Sequence, residues 1–343
     1  MRATVIPLEA LELPAVTKSR LLDRRLLVLG DVRASAKEAM SALSEASVNP
    51  IHQIADATHQ IGDATSSVNE AVLSLVQRHN VTDVVADWSS QLSQVLPKEA
   101  YDCLLTLKAM GIKVHDLSSL CEQVLGKVLL HEYAARELVL GGHYHFDRRW
   151  QAVKRVVDIA VAIGLLILTL PLFFGIALAI SLTSSGPVIY RQERVGMGGR
   201  PFSIFKFRSM RVDAEQDGIA RFAARNDDRV TRVGRFLRKT RIDELPQLLN
   251  VLVGDMSIVG PRPERPPFVD KFKQTVPFYD IRHRVKPGVT GWAQVNEAYA
   301  SSEAETRSKL ARDLYYIKNG SLWMDVAIMA RTILVIFACQ GSR

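Results

Sequence analysis

From Ile159 to Leu182 the chain runs for 24 residues without a charged side chain. At about 1.5 Å per residue that is long enough to cross a bilayer as one helix. Pro171 lies near the middle of the run, where it removes a helical hydrogen bond and kinks the chain. Both flanks are basic, with Lys154 and Arg155 ahead and Arg191 and Arg194 behind, and basic flanks prefer the cytoplasmic side. Two legs of about a dozen residues reach roughly 18 Å, enough to enter one leaflet and return. The pattern predicts a re-entrant membrane hairpin over residues 150–186, kinked at Pro171. A kinked single span is the alternative. A wholly soluble helix fits poorly, because a run with no polar face is hard to cover.

Ahead of this run the pattern alternates between strand-like and helix-like stretches. RLLVLGD (25–31), VTDVVAD (81–87) and IKVHDL (112–117) read as buried strands. SAKEAMSALSEA (35–46), AVLSLVQRHN (71–80) and PKEAYDCLLTLKAMG (97–111) read as helices. The expectation is a small doubly wound α/β unit over residues 1–146. A dinucleotide fingerprint after the first strand needs GxGxxG, whereas the chain offers Gly30-Asp31-Val32-Arg33-Ala34. Asp31 would also repel a pyrophosphate. This unit therefore reads as a regulatory or docking module. His143 and His145, beside two glycines, read as part of a linker, and the boundary is placed at residues 141–149.

Charge divides the chain in the same place. Residues 1–146 carry 13 Lys+Arg against 17 Asp+Glu, and residues 147–343 carry 31 against 19. The second part needs polyanionic company: nucleic acid, anionic lipid or a phosphorylated substrate. Nucleic acid fits badly with a membrane segment and with arginines not interleaved with aromatics. Cys103, Cys121 and Cys339 are scattered, which suggests a reducing compartment and neither disulfides nor a thiolate metal site. The N-terminus shows no apolar core of signal-peptide type, so no secretion is expected.

In the basic part, Val188–Arg191 and Phe202–Phe207 alternate like strands around a glycine-rich GMGG. Lys206, Arg208 and Arg211 follow, and Arg232, Arg235, Arg238, Lys239 and Arg241 recur at helical spacing. Some of these would suit anionic headgroups. Asp243 and Glu244 then stand side by side in RIDELP. Adjacent carboxylates repel, and burial raises the pKa of at least one, so such a pair is either a solvated surface accident or a site where a cation and a phosphate complete its electrostatics. Pro246 favours an extended or turn geometry at Leu245, which places the pair near a helix boundary. GPRPERPP is too proline-rich for regular structure and would hold Arg262 on a rigid loop.

KRVVDIAVAIGLLILTLPLFF, FKFRSM, RIDELPQLLNVLVGDMSIVGPRP, VKPGVTGWAQVN and DLYYIKNGSLWMD, in this order, resemble the monotopic phosphoglycosyl transferases, the bacterial sugar transferase family. The resemblance covers residue 150 to the end, and the acidic part resembles the degenerate Rossmann-like domain of longer members. Those members carry four further membrane helices, of which this sequence shows none. The implied architecture is α/β: a small Rossmann-like N-terminal domain, the hairpin, and a catalytic domain over 187–343 on the cytoplasmic face of the bacterial inner membrane.

The resemblance implies transfer of sugar-1-phosphate from a UDP-sugar to polyprenyl (undecaprenyl) phosphate, a first membrane step of exopolysaccharide assembly. Asp243 would attack the β-phosphate, UMP would leave, and the lipid phosphate would then take the phosphosugar from the aspartyl intermediate. A carboxylate attacking a diphosphate needs its repulsion cancelled, which calls for Mg²⁺ and arginines. Asp243 and Glu244 are the metal candidates, and Glu244 is open between metal ligand and base. Lys206, Arg208, Arg238, Arg262, Lys286, Gln294 and Asp325 are the phosphate- and substrate-binding candidates. Asp325 reads equally as a helix-start residue, and Trp292 as core packing or, with Asn296, as a nucleotide or sugar contact. Some members follow this last motif with Gly-Arg, where this chain has Glu297-Ala298. The contact of that arginine would then be absent, or supplied by Arg307 or Arg312, and donor identity is the property affected. Other partners considered are inner-membrane lipid, a second copy of the chain and polysaccharide assembly proteins. The competing reading is a catalytically silent membrane adaptor of such an assembly.

Overall fold

The computed structural model describes residues 148–214, 227–297 and 303–337, and parts of residues 3–130. The chain separates into two compact units, Met1–Ala134 and Ala135–Arg343.

In the first unit, strands β1 (Ala3–Pro7), β2 (Arg25–Leu29), β3 (His52–Ile54), β4 (Asp83–Ala86) and β5 (Lys113–Asp116) form one sheet in the order β3-β1-β2-β4-β5. The three strands read from the sequence, β2, β4 and β5, are mutually parallel. Strand β1 runs antiparallel to both β2 and β3, so the sheet is mixed. Neither β1 nor β3 stands out as a strand in the sequence. Helix α1 (Lys98–Ala109) is amphipathic. Its Cys103, Leu104 and Leu107 pack with Val72, Val76, Val81, Val84 and Ile112. Residues 30–46 and 131–147, and with them the Gly30-Asp31 turn, His143 and His145, lie outside the described residues.

The second unit opens with α2 (Arg148–Thr183), a helix of 36 residues that contains Pro171. It is the one candidate membrane span among the described residues. Its inner stripe touches the rest of the unit at both ends. Near the start, the Asp158 carboxylate accepts from Ile258 N at 3.1 Å, and Arg155 donates to the carbonyls of Val251 and Leu252. Near the end, Phe173, Ile176 and Ile180 pack with Phe207 and Leu237. Between them Leu165, Ile167, Leu168, Leu170 and Leu172 are exposed.

Strands β6 (Ile189–Val195) and β7 (Pro201–Phe207) pair antiparallel, Ile189 facing Phe207. Helix α3 (Arg232–Lys239) starts where the Thr231 hydroxyl accepts from Gly234 N, an N-cap that satisfies an otherwise unpaired donor. Gly234 is required by packing: a Cβ there would stand 1.9 Å from the Ser209 carbonyl oxygen. A short 3-10 turn, Ile242–Glu244, leads into α4 (Gln247–Val253), which Gly254 closes in the left-handed region at φ 106°.

Leu245 adopts right-handed helical geometry, φ −52° and ψ −38°. The extended alternative for it does not hold, because Pro246 opens the next helix, where no N–H is needed. The carboxylate pair does sit at a helix boundary. Strands β8 (Ser257–Val259) and β9 (Gly288–Thr290) pair in parallel. The proline-rich segment is a loop only as far as Arg265, since Pro266 and Pro267 form the first turn of α5 (Pro266–Thr275). A 3-10 stretch Tyr279–Arg284, α6 (Trp292–Asn296), α7 (Glu303–Asn319) and α8 (Leu322–Phe337) complete the unit.

Candidate active site

The side chains of Asp243 and Glu244 are held inside the second unit by three converging pieces of chain. The first is the end of β7. Asn250 on α4 is fully buried, and its amide grips that strand, accepting from Phe205 N at 2.9 Å and donating to the Ser203 carbonyl at 2.7 Å. The next residue, Lys206, is thereby placed with its Nζ 3.5 Å from Glu244 Oε1. The second is α3, docked on Ser209, whose hydroxyl accepts from Arg238 Nε at 3.0 Å.

The third is the loop Gly260–Arg265. Prolines cannot donate backbone hydrogen bonds, so the loop must find outside donors for its carbonyls. Four consecutive ones do so. Pro261 O accepts from Gly288 N, Arg262 O from Arg282 Nη2, Pro263 O from Arg194 Nη1, and Glu264 O from Val195 N. Arg262 then donates to both carboxylate oxygens of Glu244, at 2.6 and 3.2 Å, the two-pronged pairing that arginine geometry favours.

The two adjacent carboxylates are thus treated oppositely. Glu244 is 9% exposed. Burial alone would raise its pKa, but Arg262 and Lys206 hold it well below the ordinary carboxylate range. Asp243 is 8% exposed. Burial, reinforced by the charge of Glu244, pushes it up to about 6 against the pull of Lys206, Arg238 and Arg262. No hydrogen bond or ion pair of its carboxylate is found among the described residues. Glu244 is a locked counter-charge, and the Asp243 carboxylate is left open in an electropositive setting. Its neighbour Arg241 has φ 58°. That costly backbone geometry for a non-glycine residue is of the kind that collects at functional sites.

Could the pair hold a divalent cation? Among the described residues no three His, Cys, Asp or Glu side chains cluster as a metal site. Mg²⁺, however, is commonly held by one or two carboxylates together with substrate phosphates and water. The open Asp243 and the adjoining Glu244 fit that mode, and they do not fit a cage built by protein alone.

The remaining candidates fall elsewhere. Arg208 is buried, and its guanidinium ties the end of α2 to β6, donating to the carbonyls of Ser184 at 2.8 Å and Pro187 at 2.7 Å and to the Ser184 hydroxyl. Asp325 accepts from Lys154 and from the Tyr316 hydroxyl, each at 2.7 Å. That network fastens the foot of α2 to α7 and α8. Lys286 lies close to Arg155 beside Gly254 at the end of α4; burial and the Arg155 charge lower its pKa. Gln294 donates to the Val289 carbonyl, while its Oε1 is buried without a partner. Trp292 stacks on Tyr315 and lies under Arg331, which bonds Asn296. Glu297 holds Arg312 at 2.7 Å, and Arg307 donates to the Thr275 carbonyl.

Sequence reasoning missed Asn250, Arg194, Arg282 and Asp313. The signal for the arginines was the run of prolines, whose neighbouring carbonyls had to be satisfied by something.

Comparison with known proteins defines the class. A family model described as "Bacterial sugar transferase" matches residues 149–339, more than half of the chain, and the chain belongs to that family. It is 48% identical over 235 residues to the UDP-N-acetylgalactosamine-undecaprenyl-phosphate N-acetylgalactosaminephosphotransferase of Aeromonas hydrophila, covering 68% of this chain and 54% of that protein. Against the UDP-glucose:undecaprenyl-phosphate glucose-1-phosphate transferase of Escherichia coli (strain K12) it is 48% identical over 194 residues, 55% of this chain and 41% of the relative. The exopolysaccharide production protein PSS of Rhizobium leguminosarum bv. phaseoli is 40% identical over 188 residues, 53% of this chain and 94% of that protein. The chain spans about half the length of the first two relatives.

Proposed function

We propose that this protein transfers sugar-1-phosphate from a UDP-sugar to undecaprenyl phosphate through a covalent intermediate on Asp243. The observation that carries the reading is the asymmetry of the pair: an open Asp243 beside a Glu244 locked by Arg262 and Lys206. A carboxylate oxygen of Asp243 attacks the β-phosphorus of the donor. The bond from that phosphorus to the bridging oxygen breaks, and the electron pair leaves with UMP. An oxygen of undecaprenyl phosphate then attacks the same phosphorus, and the Asp243 carboxylate leaves. Splitting the transfer lets both substrates use one phosphate pocket. Lys206, Arg238 and Arg262 surround that pocket and stabilise the charge that develops on the transferring phosphoryl group. Mg²⁺, held by Asp243 and Glu244 with the donor phosphates, would neutralise the diphosphate and polarise it.

The membrane reading rests on α2. A helix crossing a bilayer carries its ends to opposite sides, roughly 30 Å apart. Here Asp158, just before the apolar run, and Ile180, near its end, both pack on the same unit. That supports a re-entrant segment bent at Pro171, with the catalytic domain on the cytoplasmic face of the inner membrane. Helix α8 exposes Trp323 (84%), Val326, Ile333 and Leu334, and an aromatic at a helix start suits the membrane interface.

The test is UMP release from membranes given undecaprenyl phosphate, Mg²⁺ and a panel of UDP-sugars that includes UDP-glucose and UDP-N-acetylgalactosamine. Release with one or two donors, lost in Asp243→Asn, is expected. Release that survives in Asp243→Asn removes the nucleophile assignment, and silence with every donor favours the adaptor.

A further inference from the structure

Arg262 lies between Pro261 and Pro263, so its backbone has little freedom. Its φ,ψ region is restricted by the following proline, and the orientation of its carbonyl goes with the direction of its side chain. That carbonyl accepts from the side chain of Arg282, at Nη2, at 2.9 Å. The same nitrogen donates to Asp313 Oδ2 at 2.8 Å, while Nη1 donates to the Tyr279 hydroxyl at 2.8 Å. The guanidinium also lies 5.1 Å from the Tyr279 ring centroid. Tyr279, Arg282 and Asp313 are all buried. An ion pair so deep is costly to desolvate, and a hydrophobic substitute would often serve stability as well or better. Stability alone is therefore a weak reason for it, and its reach to the Arg262 carbonyl supplies another.

We infer that Arg282 and Asp313 are positioning residues: Asp313 on α7 orients Arg282, which fixes the Arg262 carbonyl and so aims the Arg262 guanidinium at Glu244. This deepens the proposed function, since it rests on the Asp243–Glu244 pair being the reaction centre. It also assigns a role to an ion pair between the 3-10 stretch and α7, both outside the RIDELP and GPRP motifs.

The full-length protein in detergent provides a test that does not depend on turnover. Glu244→Gln and Arg262→Gln, made singly and together, give the interaction of that pair as a non-additive change in thermal midpoint. The expected result is that this non-additivity falls by at least half when the four proteins are remade with Asp313→Asn. A purely structural Asp313 would lower all four midpoints alike and leave the non-additivity intact, which would overturn the inference. If Asp313→Asn fails to fold, Tyr279→Phe, which removes one bond to Arg282, replaces it. The non-additivity should then fall by about a quarter or more, and no change would again overturn the inference.

UMP release adds a second readout. Asp313→Asn should lower kcat by more than about tenfold in the wild-type background and by less than about twofold on top of Arg262→Gln. Equal losses in the two backgrounds would overturn the inference. A wild-type protein that releases no UMP with any donor would remove the proposed reaction, and the thermal cycle would still decide this inference.

Discussion

Two buried clusters in the second unit are built from the same kinds of residue and do different things. At the foot of α2, Asp158 and Asp325 face Lys154, Tyr316 and the Ile258 amide. Both carboxylates are engaged, one by Ile258 N and the other by Lys154 and Tyr316. At the RIDELP turn, Asp243 and Glu244 face Lys206, Arg238 and Arg262, and only Glu244 is engaged. A fold that needs only to satisfy its buried charges closes every bond, as the first cluster does. The second leaves one carboxylate open; burial raises the pKa of Asp243 and of Asp325 alike, so the pairing and not the pKa tells the two apart. The open bond, more than burial or charge count, is what separates the two clusters.

The sharpest way to break this comparison is to remove one acid from each cluster. Asp243→Asn should lower UMP release by at least about 10³-fold, as expected when a covalent nucleophile is lost. Its thermal midpoint should stay level or rise, since an amide there no longer suffers the repulsion of Glu244. Asp325→Asn should do the reverse. Disrupting its bonds to Lys154 and Tyr316 should cost roughly 3 kcal/mol, with kcat within about tenfold of wild type well below the midpoint. Activity assays beside thermal melts read both, and a dead but stable Asp325→Asn would move that residue into the reaction.

Chelation sharpens the same distinction. EDTA should lower UMP release by more than about a hundredfold, reversibly with Mg²⁺, and leave the melting curve of the ligand-free protein in place. A fall in that curve would mean a structural metal, which the two-carboxylate set does not fit.

How much of this could be read from the sequence follows from what kind of signal each feature leaves. The parallel strands β2, β4 and β5 and the basic helix α3 declared themselves by their patterns, whereas the uncharged run, read as two legs broken at Pro171, lies in one helix over Arg148–Thr183. The Asp243–Glu244 pair declared itself by two like charges in a basic stretch, and Arg262 by the prolines around it. Arg208 and Asp325 did not separate from the site residues. A buried arginine that caps a helix end and one that binds phosphate have the same sequence signature, and only the direction of the guanidinium tells them apart. Asn250, Arg282 and Asp313 were invisible for a related reason. Asn250 grips backbone atoms 45 and 47 residues away, and Arg282 and Asp313 stand 31 residues apart, and no local pattern encodes that pairing.

Arg208 provides a smaller test of the same division. Arg208→Lys keeps the charge but cannot reproduce the fork to Ser184 and Pro187, so it should cost roughly 1–2 kcal/mol of stability. Activity measured at low temperature should change by less than about threefold. A large loss of kcat at unchanged stability would return Arg208 to the phosphate pocket.

His283 carries the smallest expected effect. It is buried next to Arg282 in the chain, with Nδ1 3.3 Å from Asp280 and Nε2 without a partner among the described residues. Burial, helped by the Arg282 charge, lowers its pKa to about 4, against the pull of Asp280. The unfolded chain takes up this proton near pH 6.5. Between the two values the unfolded state binds the proton and the folded state does not, so stability is complete above pH 6.5 and falls as pH drops toward 4. The full loss is roughly 3 kcal/mol. His283→Gln removes this titration. Thermal midpoints of the two proteins at pH 7.5, 6.5, 5.5 and 4.5 should show wild type falling more steeply, so that any advantage it holds at pH 7.5 shrinks by pH 4.5. Parallel curves would mean that His283 takes up its proton at the same pH in the folded and unfolded states, so that burial and the charge of Arg282 are offset in full by Asp280.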